Sequence, residues 1–290
     1  MFGSLVVVFP PRHKGGALLL RHRDHEWTFD SGEALAAEDQ PSIGYVAFFS
    51  DIEHEVAPVI SGHRITMTYN LYFDDDRPVV KADSEHITAP ELANKNAFRE
   101  AFAALVENSE FMPDGGTLAF GLRHVYQIKD DLKHVYSILK GSDALVYQSV
   151  RRLGYEPVLY MYYQNWHTGA LIDKVVHFPN EQYEEDVVGI VCREGGFPVV
   201  KRGLVEKGKK RAWPVIDSEF GTPEEVEWAT PVTEFNRQKD AFLHYGNDAT
   251  LHWVYGDVCL VVRIGKAGER LAYPTVVELN ERRTRREVEY

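Results

Sequence analysis

Residues 44–73, GYVAFFSDIEHEVAPVISGHRITMTYNLYF, constrain the fold of this chain more than any other stretch. Val46 and Phe48, and then Ile65, Met67, Tyr69 and Leu71, alternate with smaller or more polar residues. A period of two places one set of side chains on one face of a sheet, so the stretch reads as paired β-strands. Val59-Ile60-Ser61-Gly62 breaks the pattern, and Gly62 can take the positive φ that a strand-to-strand turn commonly demands. His54 then opens one strand and Arg64 the next, ten positions later.

An imidazole is a good ligand for a first-row metal, and a guanidinium set deeper can grip a carboxylate through two parallel hydrogen bonds. His54 and Arg64 together offer a metal ligand and an anchor for a dicarboxylate. A histidine flanked by Glu53 and Glu55 is equally what a solvated side chain looks like, and spacing alone leaves both readings open.

The run His54-Glu55-Val56, followed by Pro58-Val59, Ser61-Gly62 and Arg64-Ile65-Thr66, resembles the second half of the active site of iron(II)/2-oxoglutarate-dependent dioxygenases. The likeness is to the prolyl 4-hydroxylase-like branch, in particular its large intracellular fungal members. It implies that His54 is the distal iron ligand, that Arg64 pairs with the far carboxylate of 2-oxoglutarate, and that the Thr66 hydroxyl assists the clamp. Gly15-Gly16-Ala17-Leu18 is similar to the family's Gly-Gly-x-Leu hairpin. The resemblance further implies Fe(II) and 2-oxoglutarate as cofactor and co-substrate, with ascorbate as an accessory reductant. Its substrate would be a protein side chain or a small molecule, hydroxylated at a C–H bond. The contrasting expectation is a non-catalytic binding or scaffold protein on a relic of the same fold.

The family's other two iron ligands form a His-x-Asp pair on a strand that precedes the Gly-Gly hairpin. Here Met1-Phe2-Gly3 stands where the intervening strand begins, so a chain lacking its amino-terminal part is expected. His22-Arg23-Asp24 does occur, but after Gly15-Gly16, on a polar hairpin tip where His and Asp arise anyway.

A net charge of −12 argues against a nucleic-acid or anionic-membrane binder, because phosphates are gripped by surplus Lys and Arg. Cys192 and Cys259 both lie in apolar runs and read as buried thiols of an intracellular, cytoplasmic or nuclear protein. The opening MFGSLVVVFPP is too short to span a bilayer and reads as a core strand.

Residues 1–76 are thus expected to form an amino-terminally incomplete double-stranded β-helix, a cupin-like jelly roll. Residues 77–290 form a mixed α/β region, giving an α+β chain overall. Within the first part, Gly3–Phe9 is a strand stopped by Pro10-Pro11, Gly16–Asp30 two short strands, and Ser31–Ser42 a surface loop. In the second, Thr88 and Glu91 suggest a capping box for a helix over 90–107, Thr117–Tyr126 a strand, and Ile128, Leu132, Val135 and Leu139 one helical face. A helix capped by Ser142 runs to Gly154, and Val158–Tyr163 is a strand. Residues 177–211 look polar and turn-rich, two strands fill Thr250–Tyr255 and Asp257–Ile264, and the charged tail from about 281 is unstructured.

Overall fold

A computed structural model describes residues 1–23, 25–72, 89–164, 168–178, 187–202, 220, 223–245 and 249–272. The chain divides into two compact units, Met1–Asp83 and Ser84–Tyr290, and is mixed α/β with few helices. The expected capping box at Thr88 and the tail from about 281 lie outside the described residues.

The first unit is built from β1 (Gly3–Val8), β2 (His13–Gly15), β3 (Leu18–His22), β4 (His25–Phe29), α1 (Ser31–Ala36), β5 (Gly44–Phe49), β6 (Glu53–Val56), β7 (Val59–Gly62) and β8 (Thr66–Leu71). One sheet has the order β5-β1-β8 and another β4-β3-β6, while β2 pairs with β7. The last two form one bent ladder. Between them Ala57 N donates to Ala17 O at 2.9 Å and Gly16 N to Pro58 O at 3.0 Å, across the register shift at Lys14 and Gly15. At its far end Gly62 has φ +78°, and a Cβ there would collide with the Arg12 carbonyl, so only glycine fits the turn into β8. The expected loop at Ser31–Ser42 instead opens with α1, because Asp30 caps it by accepting from Glu33 N at 3.1 Å.

Register assigns the faces of the β5-β1-β8 sheet. Val6 pairs with Val46 and Thr68, Ser4 with Phe48 and Asn70, and Val8 with Thr66. This inner face meets the other sheet where the Phe48 and His54 rings lie 4.9 Å apart. Met67, Tyr69 and Leu71 fall on the opposite, outer face with Leu5, Val7, Tyr45, Ala47 and Phe49. So Val46 and Phe48 share the face of the buried Val6 and Val8 while the apolar set of β8 falls on the opposite face; the polar set of β8 lies on the inner face by register but stays exposed.

The second unit contains α2 (Ala89–Glu107), β9 (Gly116–Gly121), α3 (Val135–Ile138), α4 (Gly141–Arg152), β10 (Val158–Gln164), β11 (Gly169–Ile172), α5 (Val187–Arg193), β12 (Phe197–Lys201), β13 (Glu224–Thr230), β14 (Gln238–Tyr245) and β15 (Ala249–Ile264). The order β10-β11-β12-β13-β9-β15 closes on itself through β10–β15 pairing, making a six-stranded barrel with β14 attached to β15. Alternation sends Ala119, Tyr160, Leu171, Phe197, Val199 and Val226 inside. Leu118, Phe120, Leu159, Met161 and Leu260 face out, into a larger core with Phe102, Val150 and Val188 of the helices. Both cysteines are buried free thiols.

Four expectations for this unit are corrected. The two carboxy-terminal strands are one, β15, because Gly256 does not turn: it lies under Tyr163, whose Cε1 would stand 2.5 Å from a Cβ there. Residues 177–211 hold α5, whose Val188 and Val191 pack in the outer core, and β12, whose Phe197 and Val199 face the barrel interior. The strand from Thr117 ends at Gly121, and the helix across 128–139 shrinks to α3. Asp143, in the first turn of α4, explains the early end of the strand: its carboxylate accepts from Arg123 N and His124 N at 2.9 and 3.0 Å and from the Tyr126 hydroxyl at 2.9 Å, holding 123–126 out of the sheet.

Candidate functional site

Along 58–70 every residue is exposed except Arg64. Its guanidinium is sheltered because its stem lies across the glycine hairpin: a Cβ on Gly16 would stand 2.6 Å from Arg64 Cδ and 3.1 Å from Val59 Cγ2. Gly16 also has φ +73°. The Gly-Gly pair therefore serves the backbone and leaves a bed for the arginine.

Arg64 Nε and Nη2 are shut away from solvent with no hydrogen-bond partner among the described residues. Burial pulls its pKa down from the ordinary arginine value, although the group stays cationic at neutral pH. Sheltered guanidinium nitrogens without a partner are costly, and an anion would satisfy them. Thr66, two residues on, shares the strand face of Arg64 and stands opposite Val8, which is fully buried. Both expected carboxylate-binding residues thus belong to the inner face.

His54 opposes Leu20 on β3 and packs on Phe48, so it too belongs to the inner side, near the solvent-exposed rim. Its Nδ1 lies 3.2 Å from Ile52 O. A carbonyl only accepts, so Nδ1 carries the proton and Nε2 keeps the lone pair that a metal needs. The flanking Glu55 is on the other face, paired with Arg21 at 3.0 Å, so it neither hydrates nor neutralises the ring. From the Gly16–Pro58 rung to the Leu20–His54 rung is four residues, about 13 Å of ladder. Arg64 stands at one end of that span and His54 at the other.

His22 lies on the same face as Leu20 by alternation, and its nearest nitrogen comes within 4.8 Å of an Asp51 carboxylate oxygen. His22 belongs to the hairpin-tip pair noted in the sequence, whereas Asp24 is outside the described residues. Asp51 was not singled out by sequence reasoning. It sits in the β5–β6 turn, closed by Ile52 N donating to Phe49 O at 3.1 Å, and no spacing rule links it to position 22.

The chain matches no protein-family model, no curated protein and no solved structure. The functional reading therefore rests on these residues and their placement.

Proposed function

We propose that the first unit binds 2-oxoglutarate and a divalent iron, and belongs to an oxygenase that hydroxylates a C–H bond of a protein side chain or small molecule. The observation that carries this is the sheltered, unpartnered guanidinium of Arg64 on the face that also holds Thr66 and His54. The strand path supports a jelly-roll reading: β1 and β5 lie in one sheet, β3 and β4 in the other, and β6 and β8 return one to each.

The donors suit iron in kind. His54 offers Nε2, and His22 with Asp51 adds a second imidazole and a carboxylate on the same side, the ligand types of a non-haem Fe(II) centre. His54 stands outside the close His22–Asp51 pair. When bound, iron and 2-oxoglutarate supply oxygen activation coupled to decarboxylation of the keto acid to succinate. Arg64 fixes the remote carboxylate by a two-pronged contact, and Thr66 donates its hydroxyl to the same group. Phe48 holds the His54 ring in place and keeps water from one of its faces.

The test is anaerobic titration of Fe(II) and 2-oxoglutarate into the full chain, followed by the weak visible charge-transfer band. The band forms in the wild type and is absent from His54→Ala. Binding of 2-oxoglutarate that persists without any iron uptake makes the unit a carboxylate-binding module instead, the scaffold reading. No binding of either refutes both.

A further inference from the structure

We infer that the second unit carries a separate small-molecule site, at the carboxy-terminal end of α4, for a free amino acid with an aromatic side chain. The site is a pocket of about 400 Å³ lined by Tyr136, Tyr147 and Tyr155 and by the exposed Arg151 and Glu156, a volume that suits a small molecule. The local sequence builds it. Tyr147 and Arg151 stand four positions apart, on one face of α4. Gly154, at φ +89°, ends that helix: its N donates to Arg151 O at 3.0 Å and Tyr155 N to Val150 O at 3.3 Å, the paired bonds of a Schellman cap. The turn brings Glu156 to the pocket that Arg151 lines, and Tyr136 of α3 stands with its ring 5.5 Å from that of Tyr147.

Its hydroxyls are engaged as acceptors and idle as donors. The Tyr136 hydroxyl accepts from Leu159 N at 2.8 Å, and the Tyr147 hydroxyl from Arg151 Nη1 at 3.4 Å. Neither phenol proton has an acceptor among the described residues. Burial pushes the Tyr136 pKa up, so that hydroxyl keeps its proton and stays a donor. The Arg151 guanidinium lies 5.5 Å from the centre of the Tyr147 ring, and like Glu156 it has no ion-pair partner among the described residues. Stacking holds the guanidinium without consuming its other N–H groups. Two phenol protons and a forked cation in one pocket match the oxygens of a carboxylate.

Glu156 decides which anion. A carboxylate in the same pocket repels a phosphate dianion, and the net charge of −12 adds to that repulsion. It favours a ligand that brings its own ammonium group, a zwitterion whose carboxylate takes Arg151 while its ammonium takes Glu156. Arg151 and Glu156 do not pair with each other, so both charges stay available. The tyrosines supply the surface for an aromatic side chain, which packs on such rings edge to face or offset. Tyr155 is a fixed part of that surface, buried and set edge-on to Phe102 with ring centres 5.8 Å apart. The inference is independent of ligand binding in the first unit.

Calorimetric titration of L-phenylalanine into the full chain, up to about 10 mM, tests it, a range that reveals millimolar affinity. Saturable one-to-one binding is expected, with N-acetyl-L-phenylalanine, L-phenylalaninamide and glycine each weaker by about tenfold or more. Arg151→Gln removes the preference for phenylalanine over its amide, and Glu156→Gln the preference over the N-acetyl form. Circular dichroism stays unchanged in both, since the two side chains are exposed. Absence of saturation by phenylalanine overturns the inference. So does equal affinity for phenylalanine and its blocked forms, tighter binding of inorganic phosphate, or an affinity for phenylalanine that neither well-folded variant alters.

Discussion

Arg64 lies across Gly16, so closely that a single added carbon on the glycine would stand 2.6 Å from the arginine Cδ. This contact joins the hairpin after β2 to the start of β8, and it is how a charged side chain reaches a sheltered position in an exposed stretch.

Gly16→Ala is expected to lose about 1–3 kcal/mol of stability from backbone strain alone, because alanine tolerates a positive φ poorly. It also pushes Arg64 off its bed and weakens keto-acid binding. Gly268→Ala is the control, since Gly268 has φ +85° with open space around it. Urea melts and 2-oxoglutarate titrations of both variants separate strain, shared by the two, from the loss of binding, confined to Gly16→Ala.

Arg64→Met is expected to raise the thermal midpoint, since it removes a sheltered cation that has no partner among the described residues and keeps the stem that packs on Gly16. Keto-acid affinity falls in the same variant by roughly 30- to 150-fold, the size of a lost charge-assisted contact of about 2–3 kcal/mol. Calorimetry and titration on one preparation check both halves.

The barrel holds a buried ion pair, Arg263 with Glu224 at 2.9 Å, with side chains only 11% and 17% exposed and Thr117 Oγ1 also donating to Glu224. Arg263→Met alone strands the carboxylate and costs about 3–5 kcal/mol. Adding Glu224→Leu recovers most of that loss. Chemical denaturation of the single and double variants gives the coupling directly.

Alkaline pH should unfold the second unit in a defined window. Burial pushes the Tyr160, Tyr162 and Tyr163 hydroxyls from 10.0 up to about 12. Between these values the unfolded chain has lost protons that the folded chain keeps, so stability is intact below pH 10 and falls as pH rises toward 12. Each tyrosine contributes a slope approaching about 1.4 kcal/mol per pH unit. Urea midpoints across the window, with tyrosinate absorbance as a second probe, check the sign.

What could be read in the sequence was local. Alternation placed β8, apolar β-forming runs placed β1 and β10, and Gly62 marked its turn, because those signals depend on neighbours along the chain. Arg64 and Thr66 were placed on one face by the same rule. Long-range packing hid the rest. Gly256 looks like a turn until Tyr163 is seen lying over it, and Asp143 acts on residues about twenty positions away. Asp51 approaches His22 only because the β5–β6 turn folds back beside the β3–β4 hairpin. Periodicity also could not tell that β8 lays its polar side on the face of Val6 and Val8, since it fixes which residues share a face and not which face is inside.

Isothermal titration of 2-oxoglutarate into the iron-loaded chain, beside Arg64→Met and Thr66→Val, measures the central claim most directly. Saturable one-to-one binding in the wild type is expected, with a large loss in Arg64→Met and a smaller one in Thr66→Val. Equal affinity in the wild type and Arg64→Met, or heat that never saturates in the wild type, would contradict it.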